Sequence, residues 1–186
     1  FRARDYFASQ SLDLFLTHCH LDHIFGLTVL FDVLWNTTFD HVRVHAKPEW
    51  IDILNHHLFA APIFPVRPPF DWTPLAPKFE TSDGGVVRHF PLRHPGGSTA
   101  YRIDWPTGSM AYVTDTTASP NAEYVEFIQG VDLLVHECYF PDGWEERAEL
   151  TGHSCATPVA EVAKKAKVGR LVLTHVNPMD DSDDPV

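Results

Sequence analysis

The sequence predicts a mixed α/β domain (α+β) whose strands end at one edge of a sheet in side chains that can bind metal. Short apolar runs that suit strands alternate with longer runs that suit helices. Five of the apolar strands are followed by a histidine or aspartate, namely His18, His94, Asp115, His136 and His175. With 186 residues, 44% of them hydrophobic, the chain has the size and composition of one domain with a buried core, so we predict a single domain over residues 1–186.

The end of the first predicted strand carries the densest motif. Leu12–Leu16 alternates apolar and polar residues and then runs apolar, as a strand does, and the run HCHLDH follows shortly after it. His18 and His20 are two residues apart, so on extended backbone their side chains point the same way. Asp22 and His23 come where the chain turns and can face a second metal position. Imidazole with carboxylate is ligand chemistry for zinc, iron or manganese rather than calcium.

The first half of the chain alternates helices and strands after this motif. Ile24–Leu34 is apolar almost throughout and predicts a helix packed on the sheet. Phe39–His45 predicts a strand, with His41 and His45 on its solvent face. Lys47 to Leu58 predicts a helix, because its proline falls in the first turn, where proline is tolerated. Six prolines from Pro62 to Pro77 exclude a helix or a central strand. They predict an ordered loop that either borders a cleft as a lid or is pinned to the core by its aromatic residues.

The second half is richer in strands. Asp83-Gly84-Gly85 predicts a tight turn between two of them. A helix is predicted to begin at Thr157 as N-cap with Pro158 at the first helical position, and to stop at Gly169. Its apolar stripe is Val159, Val162, Ala163 and Ala166. The predicted strands are 86–92, 99–105, 110–114, 131–135 and 171–173, with a short helix over 121–129 and a solvated acidic tail over 180–184.

Composition restricts the partners and the compartment. The chain has 14 basic and 25 acidic residues, a net charge of −11 that does not suit a protein whose main partner is a phosphate backbone. Three cysteines are an odd count, which favours reduced thiols and a cytoplasmic location. No run approaches the roughly 18 apolar residues that a membrane span needs. The first core strand lies so close to Phe1 that we expect the N-terminal part of the fold to be missing from this chain.

The run His-x-His-x-Asp-His resembles the metal motif of the metallo-β-lactamase fold superfamily. That superfamily is a four-layer αββα sandwich with a one- or two-metal hydrolase site at the sheet edge. Further segments resemble its ribonuclease Z-like and phosphodiesterase branch, in the order in which that branch carries them. They are 91–103, 132–140, 151–156 and 171–178. The resemblance spans residues 11–178 and implies the αββα sandwich, lacking the strands that open it.

The resemblance also implies a site with two divalent metal ions, zinc first and manganese or iron as alternatives. The implied ligands are His18, His20 and His94 for one metal, and Asp22, His23 and His175 for the other. Asp115 and a hydroxide would bridge the two metals, and this hydroxide would attack the substrate. Asp22 would also orient or deprotonate the attacking water. Glu137 and His153 would together protonate the leaving group.

Two departures from ribonuclease Z affect the expected substrate. A ribonuclease Z carries a tRNA-gripping arm, which we expect between His94 and Asp115, and this chain has room there for one hairpin only. Its basic loop after the first motif is also missing, because residues 24–40 contain no lysine or arginine. We therefore expect a binuclear phosphodiesterase that acts on a small molecule or short, unstructured phosphodiester, without a membrane or long nucleic acid as partner. A ribonuclease Z-like nuclease, a hydrolase of sulfate esters or lactones, and a member that uses its metal structurally are the alternatives. A homodimer is left open.

Overall fold

The structure is a computed structural model that describes residues 11–34 and 39–179, with only the backbone described at 31–33. The predicted acidic tail lies outside the described residues. The chain divides into two compact units, 1–76 and 77–186, and each is described by itself. The single domain over 1–186 stays a prediction. Among the described residues, no helix has the length and apolar character that a membrane crossing requires.

The unit formed by residues 1–76 contains a parallel sheet of three strands in the order β1-β2-β3. The strands are β1 (Ser11–Phe15), β2 (His41–Ala46) and β3 (Asp71–Pro74). The helices are α1 (Leu21–Ile24), α2 (Gly26–Leu34) and α3 (Pro48–Ile53), and α3 continues as a π-helical segment over Leu54–Leu58. The predicted elements in this part of the chain are confirmed to within a few residues. The strand β3 falls in the proline-rich segment, where only a loop was predicted. Its proline is tolerated because β3 is the last strand of the described sheet.

The predicted exposure of His45 was wrong. Leu16, Val44 and Leu54 belong to one buried apolar cluster. His45 was expected on the solvent face but is 1% exposed. Its Nε2 lies 2.7 Å from Oδ1 of Asp13. This contact offsets the free-energy cost of burying the imidazole. His41, by contrast, is exposed, as predicted.

The unit formed by residues 77–186 contains a six-stranded sheet in the order β4-β5-β6-β7-β8-β9. Its strands are β4 (Lys78–Glu80), β5 (Val86–Leu92), β6 (Ser98–Trp105), β7 (Gly108–Val113), β8 (Leu133–Glu137) and β9 (Arg170–Thr174). Its helices are α4 (Tyr124–Phe127), α5 (Glu145–Thr151) and α6 (Ala156–Ala166). The strand predictions are confirmed here to within a few residues. The strand β4 was implied only by the predicted turn at 83–85, and α5 was not predicted.

The strand directions bring four strand ends to one edge of this sheet. The pairs β5–β6 and β6–β7 are antiparallel, so β5 and β7 run the same way, and β8 and β9 are parallel to β7. The carboxyl ends of β5, β7, β8 and β9 therefore share one edge. His94 and Asp115 follow the first two of these strands, Glu137 ends the third, and His175 follows the fourth. His136, predicted to follow its strand, instead lies inside β8, where it is buried against the Tyr124 hydroxyl at 3.0 Å.

Two details of α6 differ from the prediction. The four residues of its apolar stripe are buried, as expected. The N-cap is Cys155 rather than Thr157, whose hydroxyl instead donates to the carboxylate of Asp142 at 2.5 Å. The helix ends at Ala166 with Lys167 in the left-handed conformation (φ 54°), before Gly169 is reached. The contact of Thr157 with Asp142 thus takes the place of the predicted N-cap. Lys167, rather than Gly169, marks the end of the helix.

Candidate metal centre

The junction of β1 and α1 gathers three imidazoles and a carboxylate in the first unit. The chain is still extended at His20 (φ −66°, ψ 146°), and α1 starts at the next residue, so the motif spans a sharp change of direction. The ring of His18 lies 4.6 Å from that of His20 and 4.1 Å from that of His23. Oδ2 of Asp22 lies 3.2 Å from Nε2 of His23. His18 is buried, with Nδ1 3.2 Å from the hydroxyl of Thr17, whereas the Asp22 side chain is 65% exposed.

A buried carboxylate faced by two imidazoles is the central feature of the second unit. Oδ2 of Asp115 lies 3.7 Å from Nε2 of His94, and Oδ1 lies 3.8 Å from Nε2 of His175. The Asp115 backbone carbonyl accepts a hydrogen bond from the Ser98 hydroxyl at 2.8 Å, and Oδ1 accepts one from the Thr114 hydroxyl at 2.5 Å. Each carboxylate oxygen therefore faces a different imidazole, which is the arrangement that a bridging ligand needs.

The backbone at two of these residues is strained. Asp115 and His175 have φ of 35° and 56°, a region that residues with a side chain rarely adopt. Both sit directly after parallel strands, where the chain turns sharply at the sheet edge. Strain of this kind costs on the order of 1–3 kcal/mol and is found where a side chain must be held in a particular place.

The tautomer of His94 is set by the loop that follows α5. Nδ1 of His94 lies 2.9 Å from the carbonyl oxygen of Gly152, which can only accept a hydrogen bond, so Nδ1 carries the proton. The lone pair of the neutral ring is then on Nε2, the nitrogen that faces Asp115. Such a contact to the second ring nitrogen is the usual support of a metal-binding histidine. Gly152 lies in the segment 151–156 singled out above, but no signal in the sequence predicted its contact with His94.

Glu137 and His153 lie side by side near this carboxylate. Glu137 is fully buried, and its Oε1 accepts the Thr116 N–H at 3.1 Å and lies 3.7 Å from Nδ1 of His153. Its Oε2 is buried and has no hydrogen-bond partner among the described residues. The ring of His153 stacks on Tyr139 at 4.9 Å. A buried carboxylate that is only partly satisfied stabilises a positive charge on the neighbouring imidazole.

His153 is also a candidate metal ligand. One nitrogen of His153, one of His175 and an oxygen of Asp115 lie within 4.8 Å of one another. Three such donors can hold a metal ion. Ser154, the next residue, ties this loop down, because its hydroxyl donates to the Thr116 carbonyl at 2.6 Å and accepts the Ala118 N–H at 2.9 Å.

The donor set fits a divalent transition metal. Zinc bonds to imidazole nitrogen and carboxylate oxygen at roughly 2.0–2.2 Å. The nitrogen–oxygen separations of 3.7 and 3.8 Å at Asp115 are of the size that two donors to one ion require. The donors are imidazole and carboxylate, which also suit iron and manganese. The second unit thus has a carboxylate and two imidazoles suitably arranged for metal.

Comparisons with known proteins match this chain to one superfamily. The family model described as "Beta-lactamase superfamily domain" matches residues 8–176. The ribonuclease Z of Cytophaga hutchinsonii is 45% identical over 67 residues, which are 36% of this chain and 21% of that protein. The chain thus spans about a fifth to a quarter of the length of the first curated relatives that it matches.

Solved structures show the fold. The metallo-β-lactamase fold protein YhfI from Bacillus subtilis matches with a TM-score of 0.75 and 19% identity, over 91% of this chain and 66% of that one. The short form of human tRNase Z matches with a TM-score of 0.73 and 21% identity, over 89% of this chain and 72% of that one. The predicted metallo-β-lactamase fold is confirmed.

Proposed function

We propose, from the premise that this chain belongs to the beta-lactamase superfamily, that it is a binuclear metal-dependent hydrolase. Its expected substrate is a phosphodiester in a small or unstructured molecule. The observation that carries the proposal is Asp115, a buried carboxylate with His94 facing one oxygen and His175 facing the other. A protein that used a metal only to stabilise its fold would need one closed site and no bridging carboxylate.

The proposed ligands are the seven residues that the sequence motifs contain. One metal would take His18, His20 and His94, the other Asp22, His23 and His175, with Asp115 between them. Support comes from the two units separately, since the first gathers its four donors at the end of β1 and the second arranges three at its sheet edge. Zinc is the expected metal, and manganese or iron would suit the same donors.

Different residues of the chain would have different roles in the hydrolysis. Two divalent ions, when bound, lower the pKa of a shared water towards neutrality and stabilise negative charge on the phosphoryl group. Asp22 is the most exposed of the candidate carboxylates, so it can orient the attacking water and accept its proton. Asp115 is locked by the hydroxyls of Ser98 and Thr114, which keeps the centre preorganised.

The departing oxygen needs a proton, and His153 is proposed to supply it. Its Nδ1 faces the buried Glu137 carboxylate at 3.7 Å, so Nε2 is the nitrogen that would donate. Glu137 favours the protonated imidazole before transfer and keeps the ring in position. After the transfer, His153 is a neutral imidazole beside the Glu137 carboxylate. His153 takes up a proton from water before the next turnover.

The proposed class of substrate is supported by the names of the relatives and by the net charge of the chain. The relatives are named ribonuclease Z, so the bond that they cleave is a phosphodiester. The chain carries a net charge of −11, and its segment between His94 and Asp115 forms only the β6–β7 hairpin. These features favour a small phosphodiester over long RNA. A ribonuclease Z-like nuclease is the second candidate, favoured by the names of the relatives.

A substrate panel tests the proposal. The purified chain, loaded with zinc or with manganese, is assayed on dinucleotides, cyclic nucleotides, nitrophenyl phosphodiesters, precursor tRNA, sulfate esters and lactones. We expect turnover of the small phosphodiesters, loss of turnover in His94→Ala, and unchanged turnover in His41→Ala, whose exposed histidine lies outside the ligand set. Preferred turnover of precursor tRNA would support the nuclease, and turnover of sulfate esters or lactones alone would refute phosphodiester specificity.

A further inference from the structure

A cavity of about 480 Å³ opens beside His153 in the second unit, and the proposed reaction gives it no role. Its walls include Tyr139, Phe140 and Trp144, together with Arg147 from α5. This volume lies within the range of small-molecule sites, roughly 300–1,000 Å³. It suits a group of nucleoside size and not a folded nucleic acid.

The walls present flat aromatic surfaces. The rings of Phe140 and Trp144 are nearly parallel, with an angle of 8° and centroids 6.1 Å apart. Trp144 is 49% exposed, which is unusual for so large an aromatic side chain. A ring bound against it would remove this apolar surface from water. Tyr139 stacks on His153, so the aromatic lining reaches the proposed proton donor without a gap.

The charged groups in the cavity lining also restrict what the cavity can bind. Among the described residues that line it, Arg147 is the only one of the Asp, Glu, Lys and Arg types. Its guanidinium carbon lies 5.9 Å from the Trp144 ring centroid, a cation–π contact that keeps both side chains at the mouth. An aromatic wall with one guanidinium is the composition that binds nucleobases by stacking. It disfavours a cationic group.

We infer that this cavity binds the base of a nucleoside leaving group. The inference rests on the proposed function, because it identifies which part of the phosphodiester lies on the His153 side. The bond from phosphorus to the attacking water oxygen forms while the bond to the nucleoside oxygen breaks. That oxygen takes the proton from His153, and the nucleoside leaves as a neutral alcohol.

Binding of a nucleoside alone tests this without any turnover. Adenosine and methyl β-D-ribofuranoside, which has the sugar but no base, are titrated calorimetrically into the whole chain in the presence of EDTA. We expect adenosine to bind and the riboside not to. Trp144→Ala should weaken adenosine binding about 5- to 150-fold, the range for loss of one stacked aromatic, and Trp144→Phe should retain most of it.

Two further variants complete the test. Leu150→Ala removes an exposed apolar side chain from the same helix outside the cavity lining, so adenosine should bind to it as to the wild type. Arg147→Glu changes an exposed residue, so folding is retained, and should weaken binding by removing the cation–π contact. The inference is overturned if adenosine binds no better than the riboside, or equally well to Trp144→Ala and Arg147→Glu.

The outcome can be separated from that of the substrate panel. Trp144-dependent adenosine binding without hydrolysis of any phosphodiester would refute the proposed function and leave the nucleoside site supported. Hydrolysis of phosphodiesters without Trp144-dependent binding would refute the nucleoside site alone.

Discussion

Nδ1 of His94 donates a hydrogen bond of 2.9 Å to the carbonyl oxygen of Gly152, although 58 residues separate the two in the sequence. The glycine is required for two reasons. It ends α5 in the left-handed conformation, with φ 77°. A Cβ there would also lie 2.8 Å from Nδ1 of His94 and 2.5 Å from Cδ of Pro95. The position of the His94 ring therefore depends on the backbone at the end of α5.

Gly152→Ala should weaken metal binding. The added methyl displaces the His94 ring from its position, and loss of such a supporting contact lowers metal affinity about 10- to 100-fold. Zinc titration against a competing chelator measures the change. Gly130→Ala is the matched control, because Gly130 also has a positive φ (70°) but open space around it. Equal loss of affinity in both variants would show that backbone strain, not displacement of His94, is responsible.

Asp115→Asn should lower the metal content below two ions per chain. The carboxylate has two equivalent oxygens, each facing one imidazole, whereas an amide offers one oxygen and an NH₂ that cannot bind a cation. Elemental analysis of the purified variant after dialysis against zinc gives the count. Asp132→Asn, an exposed change just before β8, should keep the wild-type count. Two ions in the Asp115 variant would contradict a bridging role.

The strands that carry the site were predictable because their signals are local. The strands predicted at residues 86–92 and 99–105 match β5 and β6 to within one residue. The histidine-aspartate run also identified its own ligand candidates. All of these signals are contained in a few consecutive residues, and no distant partner was needed to interpret them.

The predictions that failed depend on partners far along the chain. His45 is buried because Asp13, 32 residues away, meets it on the neighbouring strand. Thr157 does not cap α6, because Asp142 binds its hydroxyl and its N–H instead. The contact between His94 and Gly152, which was not predicted, also joins distant residues. Periodicity and capping preferences contain no information about such pairs, which only the folded chain brings together.

The Asp13 cluster should make the stability of the first unit depend on acid pH. Burial raises the pKa of Asp13, but hydrogen bonds from Arg43 at 2.7 and 2.8 Å and from His45 at 2.7 Å outweigh it, so the pKa lies below its usual value. A carboxyl group with a lowered pKa stabilises the fold above its unfolded pKa of about 3.9. That contribution is lost as pH falls through the folded pKa.

Asp13→Asn should therefore lower the free energy of unfolding by about 1–3 kcal/mol at pH 7. The difference from wild type should shrink as the pH drops below about 4, because protonation removes the same charge from the wild type. Chemical denaturation in EDTA measures it without interference from metal loss. Asp71→Asn, in an exposed pair with His41, should have little effect at any pH. A difference that persists undiminished at pH 2 would contradict this account.

Long nucleic acid should bind weakly. A protein that neutralises 6–10 phosphates loses roughly 10³–10⁵ in affinity between 50 and 200 mM salt. With a net charge of −11 and no lysine or arginine over residues 24–40, we expect no sub-micromolar complex with tRNA at either salt concentration. Fluorescence anisotropy with labelled tRNA measures this, and a labelled dinucleotide serves as the comparison ligand. Tight tRNA binding with a steep salt dependence would favour the nuclease.

His153→Ala should slow some substrates far more than others. A general acid matters most when the leaving group is a poorly stabilised alkoxide and little when it is a nitrophenolate. Because Nδ1 of His153 lies 3.7 Å from the buried Glu137 carboxylate, we expect alkyl phosphodiesters to slow by about 10²–10⁴-fold while nitrophenyl esters are nearly unaffected. Glu137→Gln should show the same selectivity to a smaller degree, and His56→Ala, an exposed change, should show none.

The same kinetic comparison separates catalysis from metal binding at His153. If this histidine is instead a ligand together with Asp115 and His175, its alanine variant loses metal and slows on both substrate classes equally. Equal slowing with the metal content intact would point to loss of the stacking between His153 and Tyr139 and hence to a structural role. Only selective loss on alkyl substrates, with two ions still bound, agrees with proton donation, so elemental analysis must accompany the rates.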